Sequence, residues 1–261
     1  MTRLASLAAA ALCLGLAAGQ APAPTVAHAG ILQGVEASVT VPYTPTSATR
    51  PVAEAGRGGS YASTVAGLVD VDSRIPGGTS SGTGIVLRSD GIVVTNSHVV
   101  ARATEIEATD LGNGRRYPVI VLGRDSGHDV AEIQLVGASG LAVAPIGDSD
   151  QLSVGDQVAA IGNAGGLGGR PTITTGEVTA LDQSIVASDE SAHQRRHLHG
   201  MIQVSATVKP GDSGGALVGD RGVIGMITAT SPGAGFAIPV NTVVRIAQEF
   251  GERPMISARS E

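Results

Sequence analysis

From Tyr61 onward the chain is built of short β-branched and aliphatic runs broken by glycine. They are Val65–Val71, Gly84–Arg88, Gly91–Thr95, Tyr117–Leu122, Asp129–Leu135, Gln157–Ile161, Pro171–Leu181, Gly222–Thr228 and Gly235–Pro239. Runs of this length bounded by turn-formers predict strands, and hence an all-β fold. Ser89-Asp90-Gly91 lies between two of them. Asp-Gly supplies the positive backbone angles of a tight hairpin, which favours antiparallel pairing over crossovers. Only Asn241–Phe250 carries helical spacing, with Val243, Ile246, Ala247 and Phe250 on one side and Asn241 placed as an N-cap. The pattern alone fits either a sandwich or a pair of barrels.

The first 61 residues have a different texture. Arg3 precedes an apolar run from Leu4 to about Ala18, and a Pro-containing stretch ends at Ala27-His28-Ala29. This is the layout of an export signal covering residues 1–29, with cleavage expected after Ala29. The run is shorter than the roughly 20 residues that span a bilayer, so no stable membrane insertion is expected after cleavage. The sole cysteine, Cys13, sits inside the run, and Ala10-Ala11-Leu12 before it lacks the pattern of a lipoprotein acceptor site. The processed chain therefore has no disulfide and must rely on packing, although exported proteins live where disulfides persist. Residues 30–61, with Tyr43-Thr-Pro-Thr-Ser and Gly56-Arg-Gly-Gly-Ser, predict a flexible linker or pro-segment. The expected location is outside the cell or in its envelope.

Composition narrows the function classes. With 37 glycines, no tryptophan and two phenylalanines in 261 residues, the core must be aliphatic, and the glycines follow no three-residue period. The 17 basic and 23 acidic residues give a net charge of -6, with one lysine, Lys209, and no basic block longer than Arg115-Arg116 or Arg195-Arg196. No nucleic-acid groove and no patch for an acidic membrane is expected.

The sharpest chemical signal is Gly211-Asp-Ser-Gly-Gly215. A serine between glycines can occupy a turn whose amides point toward its own side chain, which suits attack on a carbonyl with oxyanion stabilisation. The same residues satisfy the G-x-S-x-G elbow of α/β-hydrolases, but that fold needs its histidine after the serine, and all six histidines (28, 98, 128, 193, 197 and 199) precede Ser213. The base must come from upstream, in the order histidine, acid, serine. His98 follows the strand run at Val94-Thr-Asn-Ser, and Asp129 opens the run Asp129–Leu135, so each sits at a strand end. Asp125 and His128 are the competing acid and base, and both read as loop residues. Gly162–Gly169 imitates a phosphate loop but lacks the Lys-Ser/Thr ending and precedes a strand. His193, His197 and His199 have metal-like spacing, but Arg195 and Arg196 between them oppose a cation. No metal and no cofactor is expected.

With these motifs in order, the chain resembles the trypsin-like serine proteases of the bacterial HtrA/Deg type, and among them the secreted actinobacterial PepA-like proteases. The resemblance covers about Val65 to Val240. It rests on Ser81-Gly-Thr-Gly-Ile85, Gly91-Ile-Val-Val-Thr-Asn-Ser-His98, His128-Asp129-Val-Ala131, Ala160-Ile-Gly-Asn-Ala-Gly165, Lys209-Pro-Gly-Asp-Ser213-Gly-Gly-Ala216, Val223-Ile-Gly-Met226 and Gly235–Pro239. It implies a protease domain at 62–240 made of two six-stranded antiparallel β-barrels, at about 62–145 and 150–240, followed by a C-terminal helix and tail at 241–261. His98, Asp129 and Ser213 would form the triad in the cleft, and the amides of Gly211 and Ser213 the oxyanion hole. The family commonly appends a PDZ domain, whereas only 21 residues follow Val240, so none is expected here. Asp182–Gly200 corresponds to a regulatory loop beside the oxyanion turn. Glu132 stands where aliphatic residues are usual, which predicts a more exposed face for its strand.

In such enzymes the position six before the serine floors the primary pocket. Here it is Thr207, with Val208, Met226, Ile227 and Thr228 completing the wall by analogy. An uncharged, small pocket implies cleavage after small aliphatic residues of unfolded polypeptides, the expected substrates and partners. Two other readings share the scaffold: a catalytically silent chaperone or binding module, which would not require all three triad residues, and an esterase, which uses the same acyl chemistry.

Overall fold

A computed structural model of the chain describes residues 36–37, 61–163, 165–166, 168–189 and 194–251. The expected signal at 1–29, most of the segment 30–61 and the tail after 251 lie outside the described residues. The strands are β1 (Glu36–Ala37), β2 (Leu68–Ile75), β3 (Gly78–Arg88), β4 (Ile92–Thr95), β5 (Glu105–Asp110), β6 (Arg116–Asp125), β7 (Val130–Leu135), β8 (Gln157–Gly162), β9 (Thr172–Asp189), β10 (Gln194–Val204), β11 (Ala216–Gly219), β12 (Gly222–Ser231) and β13 (Ala234–Pro239). Three helices, α1 (Ala62–Ala66), α2 (Ser97–Val100) and α3 (Val240–Gly251), complete the described elements, with one 3-10 turn at Ser149–Gln151.

The strands close two antiparallel barrels. The first runs β2-β3-β4-β7-β6-β5 and returns to β2. The second runs β8-β9-β10-β13-β12-β11 and returns to β8, with β1 added beside β9 and β12. Closure leaves no open sheet edge in either barrel, the usual antiparallel solution to unpaired backbone groups. The predicted hairpin stands between β3 and β4, where Gly91 takes φ +96° and donates to the Arg88 carbonyl.

Two local expectations change. The run Val65–Val71 begins as α1, and its strand starts only after Gly67, where a Cβ would fall 2.4 Å from the Ala144 amide of the crossing interbarrel chain. Glu132 is not on an exposed face: it is 6% exposed within a strand buried almost throughout, and burial pushes its carboxyl up despite the opposing charge of Arg88.

The helix at the end of the chain ties the barrels together. Val243, Ile246, Ala247 and Phe250 are buried as their spacing predicts, in one cluster with Leu68, Ile85 and Val94 of the first barrel and Met226 and Ile238 of the second. The Phe250 ring lies over Gly123 on β6, where any Cβ would overlap it. Asn241 is not the N-cap: the helix starts one residue earlier, and the Asn241 side chain donates to Asp148 while its amide donates to Ser149 Oγ. The interbarrel chain is laced to both sides, with the Ala144 amide on the Val86 carbonyl and the Gly147 amide on the Val223 carbonyl.

Candidate active site

The serine turn sits where the barrels meet. Gly211 and Gly214 take φ +96° and +84°, a region that side chains avoid, and both positions are also closed by backbone. A Cβ on Gly211 would lie 2.1 Å from the Asn163 carbonyl oxygen, and one on Gly214 would lie 2.0 Å from that of Thr83. Within the turn the amides of Asp212, Gly214 and Gly215 donate to the carbonyls of Lys209, Ile227 and Asp212.

Thr83 on β3 clamps this turn from the first barrel. Its hydroxyl donates to the Gly211 carbonyl at 2.9 Å and accepts from the Asn163 amide, while its own amide donates to the Ser213 carbonyl at 2.8 Å. Thr95, at the end of β4, donates to the Thr83 carbonyl at 2.6 Å, and three residues later comes His98. The one-turn helix α2 is held against the same strand, since Gly82 leaves room for the Val99 side chain. The serine turn and the histidine turn are thus both referenced to β3.

His98 and Asp129 meet directly. The His98 Nδ1 is 2.8 Å from Asp129 Oδ2, and the His98 amide donates to Oδ1 at 3.1 Å. Asp129 takes φ +58° at the entrance of β7, and its carboxylate is wholly buried. Two further groups complete its shell: Thr228 Oγ1 donates to Oδ2 at 2.5 Å, and Arg196 Nη1 on β10 donates to Oδ1. Burial would push the Asp129 carboxyl up, but His98, Arg196 and Thr228 outweigh it and hold the acid below its usual range. Ser213 is 9% exposed at the surface of the neighbouring turn.

Asp125 and His128 stand apart from this cluster. The Asp125 carboxylate accepts from the Gly127 and His128 amides and lies 2.7 Å from His128 Nδ1, a self-contained turn. His199 Nδ1 contacts Ser184, and His193 lies outside the described residues.

Residues 82–226, more than half of the chain, match the trypsin-like peptidase domain. The chain belongs to the trypsin-like peptidase family. Over 177 residues it is 41% identical to the probable serine protease do-like of Buchnera aphidicola subsp. Acyrthosiphon pisum, covering 65% of this chain and 35% of that protein. It is 38% identical over 179 residues to the periplasmic serine endoprotease DegP of Escherichia coli K12, covering 66% and 36%. It is 34% identical over 211 residues to the serine protease PepD of Mycobacterium tuberculosis, covering 72% and 45%. The chain therefore spans less than half the length of these curated relatives. Among solved structures it is similar to the HtrA-type protease AlgW with a tripeptide, at TM-score 0.66 and 28% identity over 76% of this chain and 64% of that one. These likenesses make it a trypsin-like peptidase domain of the HtrA/DegP type.

Against this family's pattern, the five residues expected to line a specificity pocket divide. Thr207 is exposed, and its carbonyl accepts from Thr174; Val208 and Ile227 share one apolar cluster. Met226 belongs to a different cluster, with residues of α3, and the register of β12 shifts between Ile227 and Ala229. Met226 is fully buried, and the Thr228 hydroxyl donates to Asp129. Sequence reasoning missed Thr228, Arg196 and Thr83 as partners of the site. Thr83 lay inside the quoted Ser81–Ile85 motif. Arg196 carried no signal, because in a polar run its side chain reads as solvated.

Asp212, next to the nucleophile candidate, is 4% exposed. Its Oδ2 accepts the Lys209 amide, but its Oδ1 is buried with no donor among the described residues. Burial raises its pKa from 3.8 to about 6. Between those values the folded state keeps a proton that the unfolded chain has released, so this group makes stability fall as pH rises through that window. At pH 7.5 the full cost, on the order of 2–3 kcal/mol, is in place. Asp212→Asn is therefore expected to raise urea stability by about that amount at pH 7.5 and by almost nothing near pH 4. A gain equal at both pH values would contradict the ionisation argument.

Proposed function

We propose that this domain is a serine endopeptidase, with Ser213 as nucleophile, His98 as general base and acid, and Asp129 orienting the imidazole. The observation that carries the reading is the 2.8 Å contact of His98 Nδ1 with the buried Asp129 carboxylate, which fixes Nδ1 as a donor and leaves Nε2 as the proton acceptor. Attack by Ser213 on a peptide carbonyl transfers its proton to His98 and forms a tetrahedral oxyanion. Its collapse breaks the C–N bond as His98 protonates the leaving amine, which gives the acyl-enzyme, and water then hydrolyses the ester with His98 again as base. The amides of Gly211 and Ser213 would receive the oxyanion, donors of a kind that contribute roughly 3–4 kcal/mol each. Export, cleavage after Ala29 and kinship with secreted actinobacterial PepA-like proteases belong to the same reading.

The test is labelling of the purified protein by a fluorophosphonate together with hydrolysis of an unfolded polypeptide. Labelling with cleavage supports the reading; labelling with hydrolysis of simple esters alone makes it an esterase; neither makes it a silent scaffold.

For specificity, Thr207, Val208, Met226, Ile227 and Thr228 are the candidate floor and wall. None carries a charge, so a buried guanidinium or ammonium would go unpaired. Cleavage after Val, Ala or similar residues is expected in peptide profiling by mass spectrometry, with preferences among aliphatic side chains of only about 10–200-fold. Dominant cleavage after Arg or Lys would overturn this pocket and leave the triad standing.

A further inference from the structure

The carboxylate of Asp129 is shared between an imidazole and a guanidinium. One oxygen holds the His98 ring and the other holds Arg196, which reaches it from β10 of the second barrel. Its side chain is only 12% exposed, and Nε and Nη2 are buried without partners among the described residues. Asp129 is the one carboxylate bonded to this guanidinium among the described residues. We propose that Arg196 is a positioning residue of the active site that holds Asp129 ionised and lowers the basicity of His98, so that His98 stays neutral, and the enzyme active, at lower pH than His98 and Asp129 alone would allow.

The electrostatic logic is direct. In turnover His98 becomes an imidazolium beside Asp129, and a second cation on the same carboxylate opposes that charge. Two cations held on the two oxygens of one carboxylate repel, and at an effective dielectric constant of about 20 such repulsion displaces a titration by about one to two pH units. Other charged groups lie in the serine turn and on the elements packed against α2. Arg124 on β6 reaches Ser97 of α2 at 3.3 Å, and Asp212 sits in the serine turn. On the strands packed against α2, Asp72, Arg74, Arg88 and Asp125 are bonded to Ser81, Glu105, Asp90 and His128, while Asp70 on β2 and Glu132 on β7 are buried carboxyls that burial pushes up. Arg124 is a second cation of the same sign, but it is bonded through a neutral hydroxyl rather than to the carboxylate that His98 uses.

Register explains why this arginine can arrive there. Arg196 pairs with Ala187 on β9, so the β9–β10 ribbon delivers a side chain from the second barrel to an acid of the first. The segment Asp182–Gly200, implied to be regulatory by resemblance, thereby touches the catalytic acid through one residue.

The proposal rests on His98 being the base, and its test has one arm that needs no turnover. The pH dependence of kcat/KM is measured for the parent, Arg196→Met and Arg196→Lys, and the His98 imidazole is titrated by NMR in a Ser213→Ala background with and without Arg196→Met. Arg196→Met is expected to move both the acid limb and the His98 titration up by about one pH unit, and Arg196→Lys to return them most of the way. If Arg196→Met does not fold, Arg196→Gln is titrated instead. A loss of rate with both titrations unmoved would make Arg196 a structural residue only and overturn the proposal. A moved His98 titration in a protein without peptidase activity would uphold it while overturning the peptidase reading.

Discussion

Ser213→Ala is expected to abolish fluorophosphonate labelling and to lower turnover by on the order of a millionfold, the loss seen when the nucleophile of such a unit is deleted. The fold should survive, because the turn is held by its backbone. The carbonyls of Gly211 and Ser213 bond to Thr83, and the amides of Gly214 and Gly215 bond within the second barrel. The serine hydroxyl itself enters none of those bonds, so its removal leaves the clamp intact. Circular dichroism and urea unfolding indistinguishable from the parent, with no labelling, is the expected outcome. Retained labelling would mean that another side chain is the nucleophile.

Much of the fold was legible because its inward faces are apolar and its turns glycine-marked. Runs such as Ile92–Thr95 and Gln157–Gly162 sit in barrels with nearly every residue buried, which is why they appear as continuous β-branched stretches. The strands not found from the pattern were of another kind. Glu105–Asp110 carries three acidic residues among six, with only every second position buried, and Ala216–Gly219 is four residues long. Gln194–Val204 opens with Gln-Arg-Arg-His, which reads as solvated loop until β9 is seen paired to it. Barrel closure was not readable from the runs either. It depends on long-range pairings such as β2 with β5, and only the family resemblance implied it.

The site divides along the same line. His98, Asp129 and Ser213 were named from local motifs, since each lies at a strand end or in a glycine turn. Their supports come from elements distant in sequence: Thr83 bonds Gly211 across 128 positions, Thr228 bonds Asp129 across 99, and Arg196 across 67. No periodicity reports such pairings. Thr228, expected on the pocket wall, bonds Asp129 at the point where the register of β12 shifts between Ile227 and Ala229.

Asp129→Asn is the second change with a large expected effect, and here Arg196 alters the usual outcome. Turnover should fall about 10⁴-fold, because an amide facing His98 Nδ1 favours the tautomer that leaves Nε2 protonated. Asp125→Asn, which touches only the separate His128 turn, should leave turnover within a fewfold of the parent. The substitution at Asp129 also leaves a mostly buried guanidinium opposite a neutral group. Breaking one side of a buried pair typically costs 3–5 kcal/mol; with Arg196 still slightly exposed, about 2–4 kcal/mol is expected. The parent's low Asp129 pKa works in the opposite sense: it contributes stability above the unfolded carboxyl pKa of about 4 and loses it as pH falls below that value. The stability difference between parent and Asp129→Asn should therefore be largest near neutrality and shrink in acid. Adding Arg196→Met to Asp129→Asn removes the stranded cation, so the double variant should recover much of the lost stability at pH 7 while turnover remains at the low level. Urea unfolding of the four proteins of this cycle, in Ser213→Ala backgrounds to prevent self-cleavage, measures the coupling. Additive losses in the cycle would show that the guanidinium and the carboxylate do not depend on each other, and the ion pair would then have no part in holding the two barrels together at the active site.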